Sequence, residues 1–234
     1  MSTTRRKICA GLIPLLSFTA TLYTVVWLAD VRPLQKVDRG FRANRAVLAI
    51  RDSVASFEQF GTELFTAPYL DAYYDKSCYF TQKTKLDKQK LIVQTLEQLC
   101  QSYQSVDIFL LAHTNRYIKW FRNIPDSLRT KIRLVYNTGC HNANQGDKWL
   151  HLGADAYIGH KGKCSLSPFF YVYFLRRWVS GYGLQTAVNA SNAKAELEIN
   201  FLETFLPNAD TMNYVEQSYG HLYGSKTLII DMKP

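Results

Sequence analysis

Apolar positions along this chain follow two alternating patterns. The first is a set of short unbroken runs: "RAVLAIRDSV" (45–54), "VDIFLLAHTN" (106–115), "RLVYNTGC" (133–140), "ADAYIGHKG" (154–162) and "SKTLIID" (225–231), with "SCYFTQ" (77–82) as a shorter candidate. The second is apolar residues recurring every third or fourth position. In "KLDKQKLIVQTLEQLCQSYQ", Leu86, Leu91, Ile92, Thr95, Leu96 and Leu99 share one face of a helix. "ASFEQFGTELFTAPYLDAYY" predicts a helix that ends at or before Pro68, whose ring removes an amide and clashes with the preceding turn. "IPDSLRTKI" predicts a short helix with Pro125 near its start, and "QGDKWLHLG" another closed by Gly153. "SPFFYVYFLRRWVSGYG" predicts a mostly apolar helix, and "AKAELEINFLETFLP" a last helix stopped by Pro207.

Strand and helix thus alternate about five times. Continuously apolar strands fit parallel pairing with both faces covered, because a one-sided sheet would alternate apolar with polar. The predicted fold class is α/β, a mostly parallel sheet flanked by helices over residues 45–234. Strands near 46–51, 106–112, 133–138, 155–159 and 226–230 are expected to share that sheet. There is no internal repeat, no G-x-G-x-x-G and no Walker loop.

The N-terminus departs from this pattern. "MSTTRRK" precedes "ICAGLIPLLSFTATLYTVVWLA" (8–29), 22 residues without a charge. At 1.5 Å per residue such a helix just spans a hydrocarbon core of about 30 Å. Tyr23 and Trp27 suit the membrane interface. A cleaved secretory signal has a shorter apolar region and a small-x-small exit. Here the exits "FTA" and "WLA" put Phe18 or Trp27 where a small residue is required. Residues 1–30 are therefore expected to be an uncleaved single-pass anchor. Residues 31–44, "VRPLQKVDRGFRAN", read as a basic linker. Three basic residues precede the span and five lie between Arg32 and Arg45, so charge alone does not choose an orientation. The very short basic tail favours a cytoplasmic N-terminus and a soluble domain outside the cytoplasm.

Composition narrows the function classes. A hydrophobic fraction of 47% against 20% charged is that of a chain with a packed core. The net charge of +9 is concentrated before residue 52 and flanks the apolar span. No nucleic-acid recognition motif accompanies it, so no nucleic-acid partner is expected. Five cysteines, without a C-x-x-C pair, leave at least one thiol outside any internal disulfide.

Three apolar strands end in a polar residue where the chain turns: His113, Cys140 and His160. Ligands bind at the carboxyl ends of the strands in open parallel sheets. Consecutive strands are often neighbours, which would bring His113 and Cys140 to one edge. An ordinary thiol titrates near pH ~8.5 and needs a base to become the nucleophilic thiolate; an imidazole at close range is such a base. The backbone amide of Cys140 and a nearby loop amide could hold a developing oxyanion, and a side chain at Gly139 would crowd the approach. Cys140 has other readings as well: a buried core residue, half of a disulfide with Cys164, or a zinc ligand with His141, His151, His160 and Cys164, at spacings that match no familiar pattern. Cys78 and Cys100 could form another disulfide or simply pack. His141 reads as solvated, Asp107 and Asp155 as surface or capping groups, and His221 as a loop residue.

The run "DIFLLAH…RLVYNTGCHNA…WLHLGADAYIGHKG…SPFFYVYFLRRWVSGYGLQTAVNAS" resembles the caspase–haemoglobinase type of cysteine peptidase, which includes caspases, legumains, gingipains and bacterial CHAT domains. The resemblance covers about residues 105–192. It implies a dyad of His113 after one strand and Cys140 after the next, with Gly153-Ala154 leading into a further strand and a long helix near 168–190. It implies peptide-bond hydrolysis through a thioester, with Cys140 as nucleophile, His113 handling protons, and amides near Gly139–Cys140 and Thr114 holding the oxyanion. No metal or organic cofactor is called for, and the expected partners are a peptide or protein substrate and, through residues 8–29, a membrane. The family carries glycine after its histidine, where this chain has Thr114. The alternatives are a catalytically inactive domain of the same fold that binds a protein at the membrane, or an anchored structural domain with a zinc or disulfide clip.

Overall fold

Each unbroken apolar run between residues 45 and 160 becomes a strand of one sheet. The computed structural model describes residues 39–52, 56–82, 87–112, 116–162, 167–203 and 211–230, all within the unit Lys36–Pro234. The predicted span at 8–29 lies outside them, and no described helix is long and apolar enough to cross a membrane.

In chain order the described elements are α1 (Arg39–Arg42), β1 (Arg45–Arg51), α2 (Ser56–Tyr73), β2 (Lys76–Thr81), α3 (Gln89–Ser102), β3 (Ser105–Leu111), α4 (Tyr117–Phe121), α5 (Asp126–Arg129), β4 (Ile132–Asn137), a 3-10 turn (Ala143–Gln145), α6 (Gly146–Leu152), β5 (Ala156–Gly159), α7 (Ser167–Val179), α8 (Leu184–Glu203), α9 (Thr211–Ser218) and β6 (His221–Gly224). The strands lie in the order β2-β1-β3-β4-β5-β6. β1 to β5 run parallel and β6 runs antiparallel to β5. The chain is thus an α/β protein with a mostly parallel sheet flanked by helices.

Strand alternation divides the core in two. Ala46, Leu48, Ile50, Ile108, Leu110, Val135 and Tyr157 face one side, against Ile92 and Leu96 of α3, Trp120 and Phe121 of α4, and Trp149 of α6. Val47, Ala49, Phe109, Leu111, Leu134, Tyr136 and Ile158 face the other, against Leu70 of α2, Phe174 and Trp178 of α7, and Leu184 and Val188 of α8. Both sets are buried, which is why the strands read as continuous runs; each such side chain contributes about 1.5–3 kcal/mol on removal from water.

Asp107 corrects a sequence expectation. Far from capping a strand at the surface, it is fully buried in β3. Val106 pairs with Ile132 and Asp107 with Leu134, so Arg133 is an extra residue on β4. Such a bulge re-aims a side chain. Arg133 meets Asp107 through Nε to Oδ1 (2.9 Å) and Nη2 to Oδ2 (2.6 Å). The hydroxyl of Tyr74 also donates to Asp107 Oδ2, as does Trp178 Nε1 at 3.2 Å, while the guanidinium lies 5.2 Å from the Trp178 ring centroid. Burial, and then the neighbouring carboxylate, push the Tyr74 phenol well above its ordinary value. Burial opposes the Arg133 charge, but Asp107 outweighs it and raises the guanidinium. Asp155 is exposed, as expected.

Four other expectations are corrected. Helix α2 continues through Pro68 to Tyr73, because Tyr69, Leu70 and the following Tyr74 are buried and their packing offsets the ~3 kcal/mol an interior proline costs. The last long helix begins at Leu184, well before Ala193. Buried Leu184, Ala187, Val188, Ser191, Ala195 and Ile199 mark its inner stripe, which Asn189 and Asn192 disguise in the sequence. The segment 226–230 is not a strand. Leu228 and Ile230 are buried, but Leu228 O accepts from Leu184 N (2.7 Å) and Lys226 O from Gln185 N (3.2 Å). These carbonyls satisfy the otherwise orphan first amides of α8, and the Ile230 carbonyl accepts from Arg45. The sheet edge is taken instead by β6, which begins at His221, the residue expected in a loop. Finally, the end of the predicted linker forms α1.

Candidate active site

Strands β3 and β4 are parallel neighbours, with Leu110 paired to Asn137. The segments that carry His113 and Cys140 therefore leave the sheet at the same edge, from adjacent strands. The end of β3 and the turn after β4 are in close contact. Thr138 N donates to Leu110 O at 2.9 Å, and a Cβ added to Gly139 would stand 2.6 Å from the Ala112 carbonyl oxygen. Glycine is required there because the turn after β4 presses on the residue immediately before His113.

His113 and Thr114 themselves lie outside the described residues. Both ends of their segment are held. Ala112 abuts Gly139, and Asp52 N donates to Leu111 O at 3.1 Å. Arg116 Nη2 pairs with Asp52 Oδ1 at 3.2 Å, and its guanidinium lies 5.0 Å from the Trp120 ring centroid. Asp52 ends β1, so this pair stands where the strand order reverses between β1 and β3, the usual ligand position of such sheets.

Cys140 is a half-buried free thiol, and its backbone amide has no hydrogen-bond partner among the described residues. The Gly139 amide, expected to help hold an oxyanion, instead donates to Asn137 Oδ1 at 3.0 Å. His141 follows with φ 51°, a left-handed conformation uncommon for a side-chain-bearing residue. Its amide donates to Gly162 O (3.0 Å) and its Nδ1–H to Lys161 O (2.9 Å). The turn is thus strapped to the segment after β5, and Ser167 at the start of α7 donates from Oγ to Thr138 O at 2.5 Å.

The other candidate ligands separate. His151 is exposed on α6, its Nδ1–H donating to Asp147 O at 2.6 Å. His160 is fully buried, its Nδ1–H donating to Ser218 O at 2.6 Å. Among the described residues no three His, Cys, Asp or Glu side chains gather as a metal site; Cys164 lies outside them. Cys78 and Cys100 are free thiols in β2 and α3, not a disulfide. Burial pushes the Cys100 thiol up to about 12 and raises that of Cys78, which makes both poor nucleophiles at neutral pH.

Burial drives His160 down from 6.5 to about 4, its ring lying against Tyr136 and Phe170, with His221 nearby adding to the shift. The unfolded chain binds this proton at a higher pH than the folded one, so stability is full above pH 6.5 and falls as pH drops towards 4. At ~1.4 kcal/mol per unit the loss is about 3 kcal/mol. Urea unfolding at pH 7 and pH 4.5 is expected to show this slope, and His160→Gln to flatten it. An equal slope in both chains would remove His160 as its source.

The sequence did not single out Asn137 and Asn142. Asn142 is fully buried, and its backbone carbonyl accepts from Tyr157 Oη at 2.8 Å. The available signal was the pair of asparagines flanking "TGCH": such side chains hydrogen-bond nearby backbone in turns.

No family model and no curated protein matches the chain. A solved structure described as "Crystal Structure of Sa239" is similar over 65% of this chain and 75% of that one, at 11% identity and a TM-score of 0.28, a likeness too slight to bear on fold or function.

Proposed function

We propose that this chain is a membrane-tethered cysteine peptidase of the caspase–haemoglobinase type, anchored by residues 8–29 with its α/β domain outside the cytoplasm. The observation that carries the reading is the contact between Gly139 and Ala112 at the ends of adjacent parallel strands. It sets the cysteine turn against Ala112, the residue before His113 in the chain. The passage from Gly153-Ala154 into β5 and on to a helix is the order that the resemblance implies, although the long helix expected near 168–190 is divided into α7, ending at Val179, and α8, beginning at Leu184.

In this reading Cys140 Sγ attacks the scissile carbonyl carbon while His113 takes the thiol proton. The carbonyl oxygen becomes an oxyanion held by the Cys140 amide and an amide of the His113–Thr114 segment. Collapse of this intermediate breaks the C–N bond, the amine leaves with the proton from His113, and a thioester remains. Water, deprotonated by His113, then releases the carboxylic acid and restores the thiol.

A second reading is a non-catalytic protein-binding domain of the same fold, favoured by Thr114 where the family carries glycine. Labelling of the full chain with a peptidyl acyloxymethyl ketone separates the two. Selective modification of Cys140, abolished in Cys140→Ser, is expected; modification no faster at Cys140 than at Cys100 would leave the binding domain.

A further inference from the structure

The turn carrying Cys140 is held by one buried carboxamide. Asn142 Nδ2 donates to the Asn137 carbonyl, the last of β4, at 2.9 Å. Asn142 Oδ1 accepts from the His160 amide, just beyond β5, at 2.6 Å. The side chain therefore spans the ends of two neighbouring strands, using its donor on one and its acceptor on the other. Two glycines make its slot: a Cβ at Gly159 would lie 2.6 Å from Asn142 Oδ1, and one at Gly139 would lie 3.2 Å from its Nδ2. The backbone of Asn142 is fixed too, since its N–H donates to His160 O at 3.0 Å and its carbonyl accepts from Tyr157 Oη.

Between Asn137 and Asn142 the chain must turn sharply, with His141 at φ 51°, and the Cys140 amide has no partner among the described residues. A carboxamide is the group that fits. A carboxylate would set oxygen against the Asn137 carbonyl, and an apolar side chain would leave both buried backbone groups without partners.

We infer that Asn142 is a positioning residue for the Cys140 turn, a clamp between β4 and β5 that aims the thiol and the Cys140 amide at one carbonyl group. The inference rests on the peptidase reading for its consequence in catalysis. The clamp itself is a property of the turn.

Two probes test it on the full chain. Iodoacetamide reports only on the thiol. A peptidyl acyloxymethyl ketone also needs its carbonyl seated on the amide, after which Sγ bonds to the methylene carbon and the carboxylate departs. Asn142→Asp is expected to slow ketone labelling on the order of a hundredfold while iodoacetamide alkylation changes severalfold at most. The deficit should narrow as pH falls, because a protonated carboxyl regains a donor for the Asn137 carbonyl. An unchanged ratio of the two rates would overturn the clamp. Where Asn142→Asp does not fold, Tyr157→Phe removes only the hydroxyl on the Asn142 carbonyl and is expected to lower the same ratio severalfold; no change there counts equally against it. If the ketone never labels Cys140 in the native chain, the peptidase reading fails instead. The clamp then stands or falls on amide exchange at residues 140–142, expected to quicken in Asn142→Asp.

Discussion

His113→Ala is expected to slow hydrolysis of a peptide amide by about 10²–10⁴-fold, the usual effect of removing a general base. The proposed reaction needs a proton taken from the thiol and given to the leaving amine, and neither histidine beside the turn among the described residues is free to do both. His141 is committed to the Lys161 carbonyl, and His160 is buried with its Nδ1 on Ser218. The variant should also slow alkylation of Cys140 by iodoacetamide, because the proposed base that takes the thiol proton would be gone. Added imidazole should restore part of the rate, which a merely unfolded domain would not permit. The internal controls are Cys78 and Cys100, whose thiols burial raises and whose alkylation should not respond. Equal alkylation of Cys140 and Cys100, unaffected by His113→Ala, would defeat the mechanism.

Asp107→Asn is expected to destabilise the domain by about 3–5 kcal/mol, since it leaves the largely buried Arg133 charge without its carboxylate. Arg133 is only 11% exposed and Asp107 not at all. Tyr74 and Trp178 lose an ionic acceptor in the same step. Urea unfolding of the full chain measures the loss, with Trp178 fluorescence reporting from within the cluster. Adding Arg133→Met should recover part of it, because the unpaired charge, more than the missing hydrogen bonds, carries the cost. A change below about 1 kcal/mol for Asp107→Asn would show that the pair is hydrated.

What the sequence made legible follows from how evenly each element is buried. β1, β3, β4 and β5 lie under helices on both faces, so most of their positions are apolar and the runs stand out. β6 has partly exposed positions throughout and a short polar sequence, "HLYG", that carries no such signal. Leu228 and Ile230 are as buried as strand residues, but hydrophobicity records burial and not hydrogen-bond partners, so their segment read as strand. Asp107 was misread because its partner is supplied by a bulge on another strand, which no local pattern announces. At the candidate site, Cys140 and Gly139 were visible as the polar end of an apolar run. The capture of the Gly139 amide by Asn137, and the grip of Asn142, depend on distances between strand ends that one-dimensional text does not contain.

The last strand has a consequence for the order of events at the ribosome. Strand β6 closes the sheet against β5, Gln217 just before it accepts the amide of Gly162, and Gly162 in turn accepts that of His141. The far end of the chain reaches back to β1 through Arg45 and the Ile230 carbonyl, 185 residues apart in sequence. Pairings of such separation form late, because their closure entropy must be met before they stabilise anything. A nascent chain that already displays Cys140 therefore lacks the outer support of its turn until residues 217–230 have emerged and closed against it.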